Sequence, residues 1–320
     1  MGKNIKFNDQ VKLVVSDVDE TIADLFIPAS LEMISELNSL LANGIILLLV
    51  SGSGLSSIKS RVTDLLHPDL RKQVLISHCS GAEIVGFDKN GSPLEKPYHS
   101  LYDKTLTGEQ KKVWREIVNQ VISEFQLQTY PPMPLSKFKE QFGDNPLAVM
   151  YEDRGPQITF EFVNAYQLTS GQIEALRNHF PNYDMADLRI PVAKRAEELL
   201  EEKNIPITPR LGGMFALDLA LKGVSKTTSI QRVINSEDIL SQLNLSKTDV
   251  LNPEYVEIWG DKFSVLTGTD RHMSEAFPKE VRSVDFREEN PEEFPEGYNI
   301  VVWKGEKHLH EGLLEYLKTD

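Results

Sequence analysis

One cysteine, Cys79, is all the thiol chemistry the chain holds in 320 residues. That excludes an internal disulfide framework and any multi-cysteine metal site. Long apolar runs are missing as well. The run IILLLV at 45–50 is strand-sized, whereas a membrane span needs roughly 20 residues. Basic charge is in deficit, with 34 Lys and Arg against 48 Asp and Glu and a formal net charge of −14. Non-specific nucleic-acid binding needs a basic surface and is argued against. A phosphorylated small molecule remains compatible, provided a bound metal or converging Lys and Arg offset the background field. The seven histidines are scattered without metal-ligand spacing. The opening residues, MGKNIKFNDQ, lack the apolar core of a signal peptide. These absences point to a cytoplasmic location, with neither membrane nor nucleic acid as partner. They leave the oligomeric state open.

What is present centres on VKLVVSDVDETIAD, residues 11–24. Val11, Leu13, Val14 and Val15 form a β-branched apolar run, the pattern of a strand buried on both faces in a parallel sheet. It ends in Asp17 and Asp19, with Thr21 at the next alternate position. In open α/β sheets ligands bind beyond the carboxyl ends of the strands. Two carboxylates held together repel unless a cation lies between them, and the preference of hard cations for oxygen makes Mg²⁺ the natural candidate. The plainer reading is that these residues cap the turn that follows.

Further along, LEMISELNSLLANG (31–44) has helical apolar spacing, with Ser30 as cap and Gly44 as stop. GIILLLVSGSG (44–54) reads as a second buried strand, SSIKSRVTDLL (56–66) as a helix, and QVLISHCSG (73–81) as a third strand. This rhythm predicts an α/β fold built on a doubly wound parallel sheet. Asn90-Gly91 predicts a hairpin within 82–95. From about residue 100 the character changes. A strong amphipathic helix (108–125) and a Pro-rich loop (129–146) precede candidate strands at 147–153 and 157–163, joined at Arg154-Gly155-Pro156. Helices at 170–179 and 192–203 and a hairpin through Gly212-Gly213 follow. Paired antiparallel strands suit an α+β layer, so residues 100–215 are expected to form an inserted α+β cap domain. Residues 1–99 and 216–320 would make the core. There the parallel rhythm resumes with a helix at 225–240, strands at 254–261, 281–286 and 297–305, and a closing helix at 311–318.

Four features fall at expected strand or helix ends: Asp17 and Asp19; Ser51-Gly52-Ser53; Lys226; and Gly260-Asp261 with Asp270 beyond. Each alone reads as a turn or a solvated charge. Together they suit phosphoryl transfer. A carboxylate can attack phosphorus and form an aspartyl-phosphate. Both partners are negative, so Mg²⁺ and a lysine must offset the repulsion. Hydroxyls and backbone N–H groups in SGSG could hold the other phosphate oxygens, and a second carboxylic acid two residues on can serve the leaving group and then water.

DVDET (17–21), Ser51, Lys226 and Gly260-Asp261 followed by Asp270 resemble the four motifs of the haloacid dehalogenase superfamily of phosphotransferases. The insertion resembles the type II cap of its Cof-like, sugar-phosphatase branch. Within that branch VSGSGLSSI and GDKFSVLTGTD are similar to segments of phosphomannomutases, as is YEDRGPQITFEF in the insert. Carried over by position, the resemblance implies Asp17 as nucleophile and metal ligand. Asp19 would be the general acid/base, with its backbone carbonyl on the metal. Thr21 would steady the loop, Ser51 with Gly52 and Ser53 hold phosphate, and Lys226 neutralise charge. Asp261 would complete the Mg²⁺ site, and Asp270 would support the metal or Lys226. Two positions depart from the pattern: Glu20 stands where Gly is commoner, and Thr269 where Asn is frequent, after a lengthened spacing. Arg154, at the expected hairpin tip, is a candidate for pairing with substrate oxygens, with Arg210, Lys137 and Lys139 as weaker ones. The expectation is a Mg²⁺-dependent phosphatase of a small phosphorylated metabolite, a sugar phosphate. The alternatives are a phosphohexomutase and a phosphometabolite-binding protein without catalysis.

Overall fold

The computed structural model describes residues 5–143, 145–164, 168–179, 181, 186–266 and 268–319. The chain opens with β1 (Leu13–Ser16), α1 (Leu31–Ala42), β2 (Ile46–Val50), α2 (Leu55–Arg61), β3 (Val74–His78), β4 (Glu83–Val85) and β5 (His99–Ser100). It continues through α3 (Leu101–Thr105), α4 (Gly108–Glu124), β6 (Gln128–Tyr130), α5 (Leu135–Phe142), β7 (Ala148–Asp153) and β8 (Gln157–Glu161). Then come α6 (Ser170–His179), α7 (Arg189–Glu202), β9 (Ile207–Gly212) and β10 (Ala216–Leu221). The remainder holds α8 (Lys226–Ile234), α9 (Glu237–Gln242), α10 (Lys247–Leu251), β11 (Val256–Gly260), α11 (Arg271–Ser274), β12 (Arg282–Asp285), β13 (Ile300–Val302) and α12 (Leu309–Leu317). Two units result: Met1–Ser100 with Val224–Asp320, and Leu101–Gly223. Among the described residues no helix is long and apolar enough to cross a membrane.

The first unit is built on one sheet in the order β13-β12-β11-β1-β2-β3-β4-β5. Its strands pair in parallel from β13 to β3, and β4 and β5 add an antiparallel edge. Successive strand residues point to opposite faces, and here both faces are covered. Val14, Leu47, Leu49 and Ile76 pack with Met33, Leu37 and Leu41 of α1 and Leu313 and Tyr316 of α12. Leu13, Val15, Leu48 and Ile258 pack on the other side with Ile230 and Val233 of α8 and Ile239 of α9. That double burial is why β1 and β2 are continuously apolar rather than alternating. β1 lies in the middle, between β11 and β2, so whatever follows Ser16 emerges at the centre of the carboxyl edge.

Helix α1 starts and stops where its sequence says. Ser30 Oγ accepts the Met33 N–H at 3.1 Å, and Gly44 takes φ +86° just past the end, a conformation that favours glycine. The expected helix at 225–240 is instead two, α8 and α9. Asn235 closes the first and Ser236 caps the second through Ile239 N. Asn90-Gly91 does turn the chain, but the flanking pair closes only a single bridge, Phe87 to Pro93. β4 pairs instead with β3 and β5.

In the second unit the sheet order is β6-β7-β8-β10-β9. Trp114, Ile117, Val118 and Val121 of α4 and Val192, Ala196 and Leu200 of α7 are buried, and α7 packs on α4, β9 and β10. The Pro-rich stretch, expected as loop, overlaps β6 and contains α5. Helix α5 starts directly after Pro134, whose fixed φ suits the approach to a first turn. The expected boundary at 215/216 falls in the β9–β10 hairpin. β10 pairs with β8 and β9, so this unit extends to Gly223.

Candidate active site

Three strand ends and one helix start converge in the first unit. Asp17, directly after β1, donates its backbone N–H to Trp259 O of β11. Lys226, the first residue of α8, donates from Nζ to Asp17 Oδ1 and to Asp270 Oδ1, both at 2.7 Å. Asp270 Oδ2 accepts the backbone N–H groups of Asp261 at 2.9 Å and Lys262 at 3.0 Å. Asp270 thus supports Lys226 and also shapes the turn that carries Asp261. Gly260 makes this approach possible, since a Cβ there would stand 2.7 Å from Asp270 Oδ2.

Asp17, Asp261 and Asp270 are buried, and one carboxylate oxygen from each lies within 4.8 Å of the others. Burial pushes the Asp17 carboxyl well above its ordinary range; Lys226 opposes this, and the neighbouring aspartates add to it. Burial, then Asp270, pushes Asp261 up to about 7, against Lys262 and Arg287. For Lys226, burial works against its charge, but Asp17 and Asp270 outweigh it and its pKa is raised. A buried set of hard oxygens that resists its own ionisation is the donor chemistry of a divalent cation site, and the triad fits one.

Asp19 faces elsewhere. Its Oδ2 accepts the hydroxyls of Ser51 at 3.0 Å and Ser53 at 2.8 Å, and Oδ1 accepts Nη1 of Arg61 at 2.6 Å. Burial alone would raise this carboxyl, but Arg61 and the two serines outweigh it and its pKa is lowered. Ser51 Oγ in turn accepts the Ser53 N–H at 2.9 Å, which draws the Ser51-Gly52-Ser53 turn tight after β2. The loop after β3 clasps that turn: Cys79 N donates to Ser53 O and Ser80 N to Ser51 O. Thr21 is buried, and its hydroxyl finds no partner among the described residues.

Glu20 adopts φ +61°, the left-handed conformation that favours glycine there. Its carboxylate is held by Lys262 at 3.2 Å and by Arg287. Arg287 also donates from Nε to Asp261 Oδ2 at 3.0 Å. Arg61, Lys262 and Arg287 were not legible as site residues. Arg61 ends a short helix in a sequence, SSIKSRV, that reads as a solvated basic end. Its one signal is its place three residues after the buried Ile58.

The structure therefore gathers Asp17, Lys226, Asp261 and Asp270 in one cluster, and Asp19, Ser51 and Ser53 in an adjoining one. The Asp19 carboxylate is outside the acidic triad. Arg154 lies in the second unit, at the β7–β8 turn, where it is half-buried and donates to Glu152 at 2.6 Å. Arg210 donates to Leu221 O, and Lys137 and Lys139 are exposed on α5.

No protein-family model matches the sequence, and no curated protein matches it. Solved structures do. A haloacid dehalogenase-like hydrolase from Bacteroides thetaiotaomicron is 15% identical, with 95% of this chain and 99% of that one covered and a TM-score of 0.56. A protein of Eubacterium rectale is 16% identical over 97% of this chain and 98% of that one, with a TM-score of 0.50. The architecture is thus a mixed α/β core with carboxylates at the central strand ends. Its fold is that of the haloacid dehalogenase-like hydrolases.

Proposed function

We propose that this protein is a Mg²⁺-dependent phosphatase that hydrolyses a small phosphorylated metabolite, a sugar phosphate, through an aspartyl-phosphate on Asp17. The observation that supports it best is the buried Asp17–Lys226–Asp270 bridge beside Asp261 at the carboxyl edge of the sheet. Nothing in core packing requires three carboxylates to be crowded there.

In this reading Asp17, Asp261 and the Asp19 carbonyl hold the ion. Asp270, the third acid of the triad, has its oxygens engaged by Lys226 and by the Asp261 and Lys262 N–H groups and supports the site from behind. When bound, Mg²⁺ supplies charge neutralisation for an anionic nucleophile meeting an anionic ester. Asp17 keeps Oδ1 on Lys226 and attacks phosphorus with Oδ2. The P–O bond to the alcohol breaks, and Asp19 gives the departing oxygen its proton. Water then attacks the phosphorus of the acyl phosphate, Asp19 takes a proton from it, and the Asp17 carboxylate leaves.

Asp19 is ionised in the arrangement seen here, yet the first step needs it protonated. An incoming phosphate resolves this. It competes for the Ser51 and Ser53 hydroxyls that now serve Asp19 and brings negative charge beside it, and both raise the proton affinity of Asp19. Screening phosphorylated metabolites for phosphate release with Mg²⁺, with no bisphosphate activator added, tests the proposal. Turnover by the wild type and a loss of at least about 1000-fold in Asp17→Asn are expected. Isomerisation without phosphate release would favour a phosphohexomutase instead.

A further inference from the structure

Arg61 is the least expected charge in the first unit. It ends α2, is 4% exposed, and among the hydrogen bonds it donates its one carboxylate partner is Asp19, through Nη1 at 2.6 Å. Its other donors go to backbone carbonyls: Nε to Ile27 at 3.1 Å, and Nη2 to Asp24 at 2.6 Å and Ala23 at 3.5 Å. The Arg61 carbonyl accepts the Ala29 N–H at 2.9 Å. One side chain and its own carbonyl therefore hold five points of the connection from Asp19 to Ala29. Only a planar fork of several N–H groups can do this; the ammonium of lysine is a single point charge.

The two oxygens of Asp19 are held by different groups. Oδ2 takes the serine hydroxyls, which a phosphate would claim, while Oδ1 takes Arg61, which is buried and tied on three further sides. When substrate removes the serines, Oδ1 stays fixed and Oδ2 is the oxygen left free to carry a proton. We propose that Arg61 is the positioning residue for Asp19, anchoring Oδ1 so that Oδ2 delivers the proton to the departing alcohol oxygen. This rests on the phosphatase reading above and assigns a role that reading does not need.

A residue that merely braced the loop would affect all substrates alike. Aiming an acid matters to the phosphorylation of Asp17 only where the leaving oxygen needs a proton. The later attack of water is common to both esters, and kcat/KM, which runs only through departure of the alcohol, excludes it. The test compares an alkyl phosphate, whose alkoxide leaves poorly unless protonated, with 4-nitrophenyl phosphate, whose phenolate leaves unaided. The variants are Arg61→Lys and Arg61→Gln, each alone and combined with Asp19→Asn, and circular dichroism establishes folding. Should the Gln variant not fold, the Lys variant, which keeps charge and aliphatic stem, carries the test.

The expected result is a kcat/KM on the alkyl phosphate lower by about 100-fold, at the low end of general-acid effects. The aryl ester should lose under about 5-fold in kcat/KM, and once Asp19→Asn is in place the Arg61 substitutions should cost nothing further. Equal losses of kcat/KM on both esters, or additive losses with Asp19→Asn, would overturn the role of Arg61 while leaving the phosphatase intact. Failure of the wild type to turn over either ester would overturn the underlying reading, and this inference with it.

Discussion

Lys226 and Asp17 are 209 residues apart in the sequence and share a 2.7 Å hydrogen bond in a buried site. The whole of the second unit lies between them along the chain. Lys226 also bonds Asp270, so a single ammonium balances two buried carboxylates. Removing one partner of a buried pair leaves uncompensated charge and costs about 3–5 kcal/mol. Lys226→Met should therefore lower stability in chemical denaturation without metal by about that much. Mg²⁺ should restore part of the loss by supplying charge to the same carboxylates. Phosphate release should fall by about 100- to 1000-fold, the scale of losing a preorganised electrostatic contact.

The metal-free protein should lose stability as pH rises toward neutrality. Asp261 titrates near 7 and Asp285 near 6, each raised first by burial from an ordinary 3.8. Between the ordinary and raised values the folded state holds protons that the unfolded chain has released, so stability falls as pH rises through that window. Thermal melts from pH 4.5 to 7.5 should show Tm declining. Added Mg²⁺ should raise Tm more at pH 8 than at pH 6, since ligation needs the ionised carboxylate. A metal-free Tm that climbs steadily across this range would contradict the assignment.

Glu20 offers a test of a departure visible in the sequence. Its positive φ carries a cost of about 1–2 kcal/mol that glycine would not incur, while its half-exposed ion pairs with Lys262 and Arg287 contribute about 0–1 kcal/mol each. Glu20→Gly should thus change stability by no more than about 1 kcal/mol and keep most of the activity. Abolished turnover in the folded variant would mean that Glu20 has a chemical role.

Glu257 gives the opposite contrast, a buried charge remote from the proposed chemistry. It accepts Trp259 Nε1 at 2.7 Å and Tyr316 OH at 2.9 Å and pairs with Arg282, joining β11, β12 and α12. Glu257→Ala should cost about 3–5 kcal/mol by leaving Arg282 unpaired, read by urea denaturation. The kcat of the folded fraction should be unchanged.

Much of this candidate site is legible in the sequence. Asp17, Ser51, Asp261 and Lys226 stand at the ends of strongly patterned elements, and apolar periodicity locates such ends well. The groups that balance them are not. Arg61 and Arg287 lie in stretches whose sequence looks like solvated charge; they become site residues only because the fold brings them against carboxylates distant in sequence. The break at Asn235-Ser236 was hidden because both flanking helices bury apolar residues on one side, Ile230 and Val233 before it and Ile239 after it, which keeps the pattern continuous. The expected boundary at 215/216 misses β10 for a similar reason: ALDLAL is equally apolar in either sheet, and only its pairing with β8 and β9 decides.

The central claim is that the Asp17 carboxylate becomes phosphorylated. Mixing enzyme, Mg²⁺ and a turned-over phosphate ester, quenching in acid within milliseconds and reducing the acyl phosphate with borohydride would mark the acylated residue for peptide mass mapping. The account predicts the mark on Asp17 and its disappearance in Asp17→Asn. A mark on another residue, or rapid turnover with no residue marked, would contradict it.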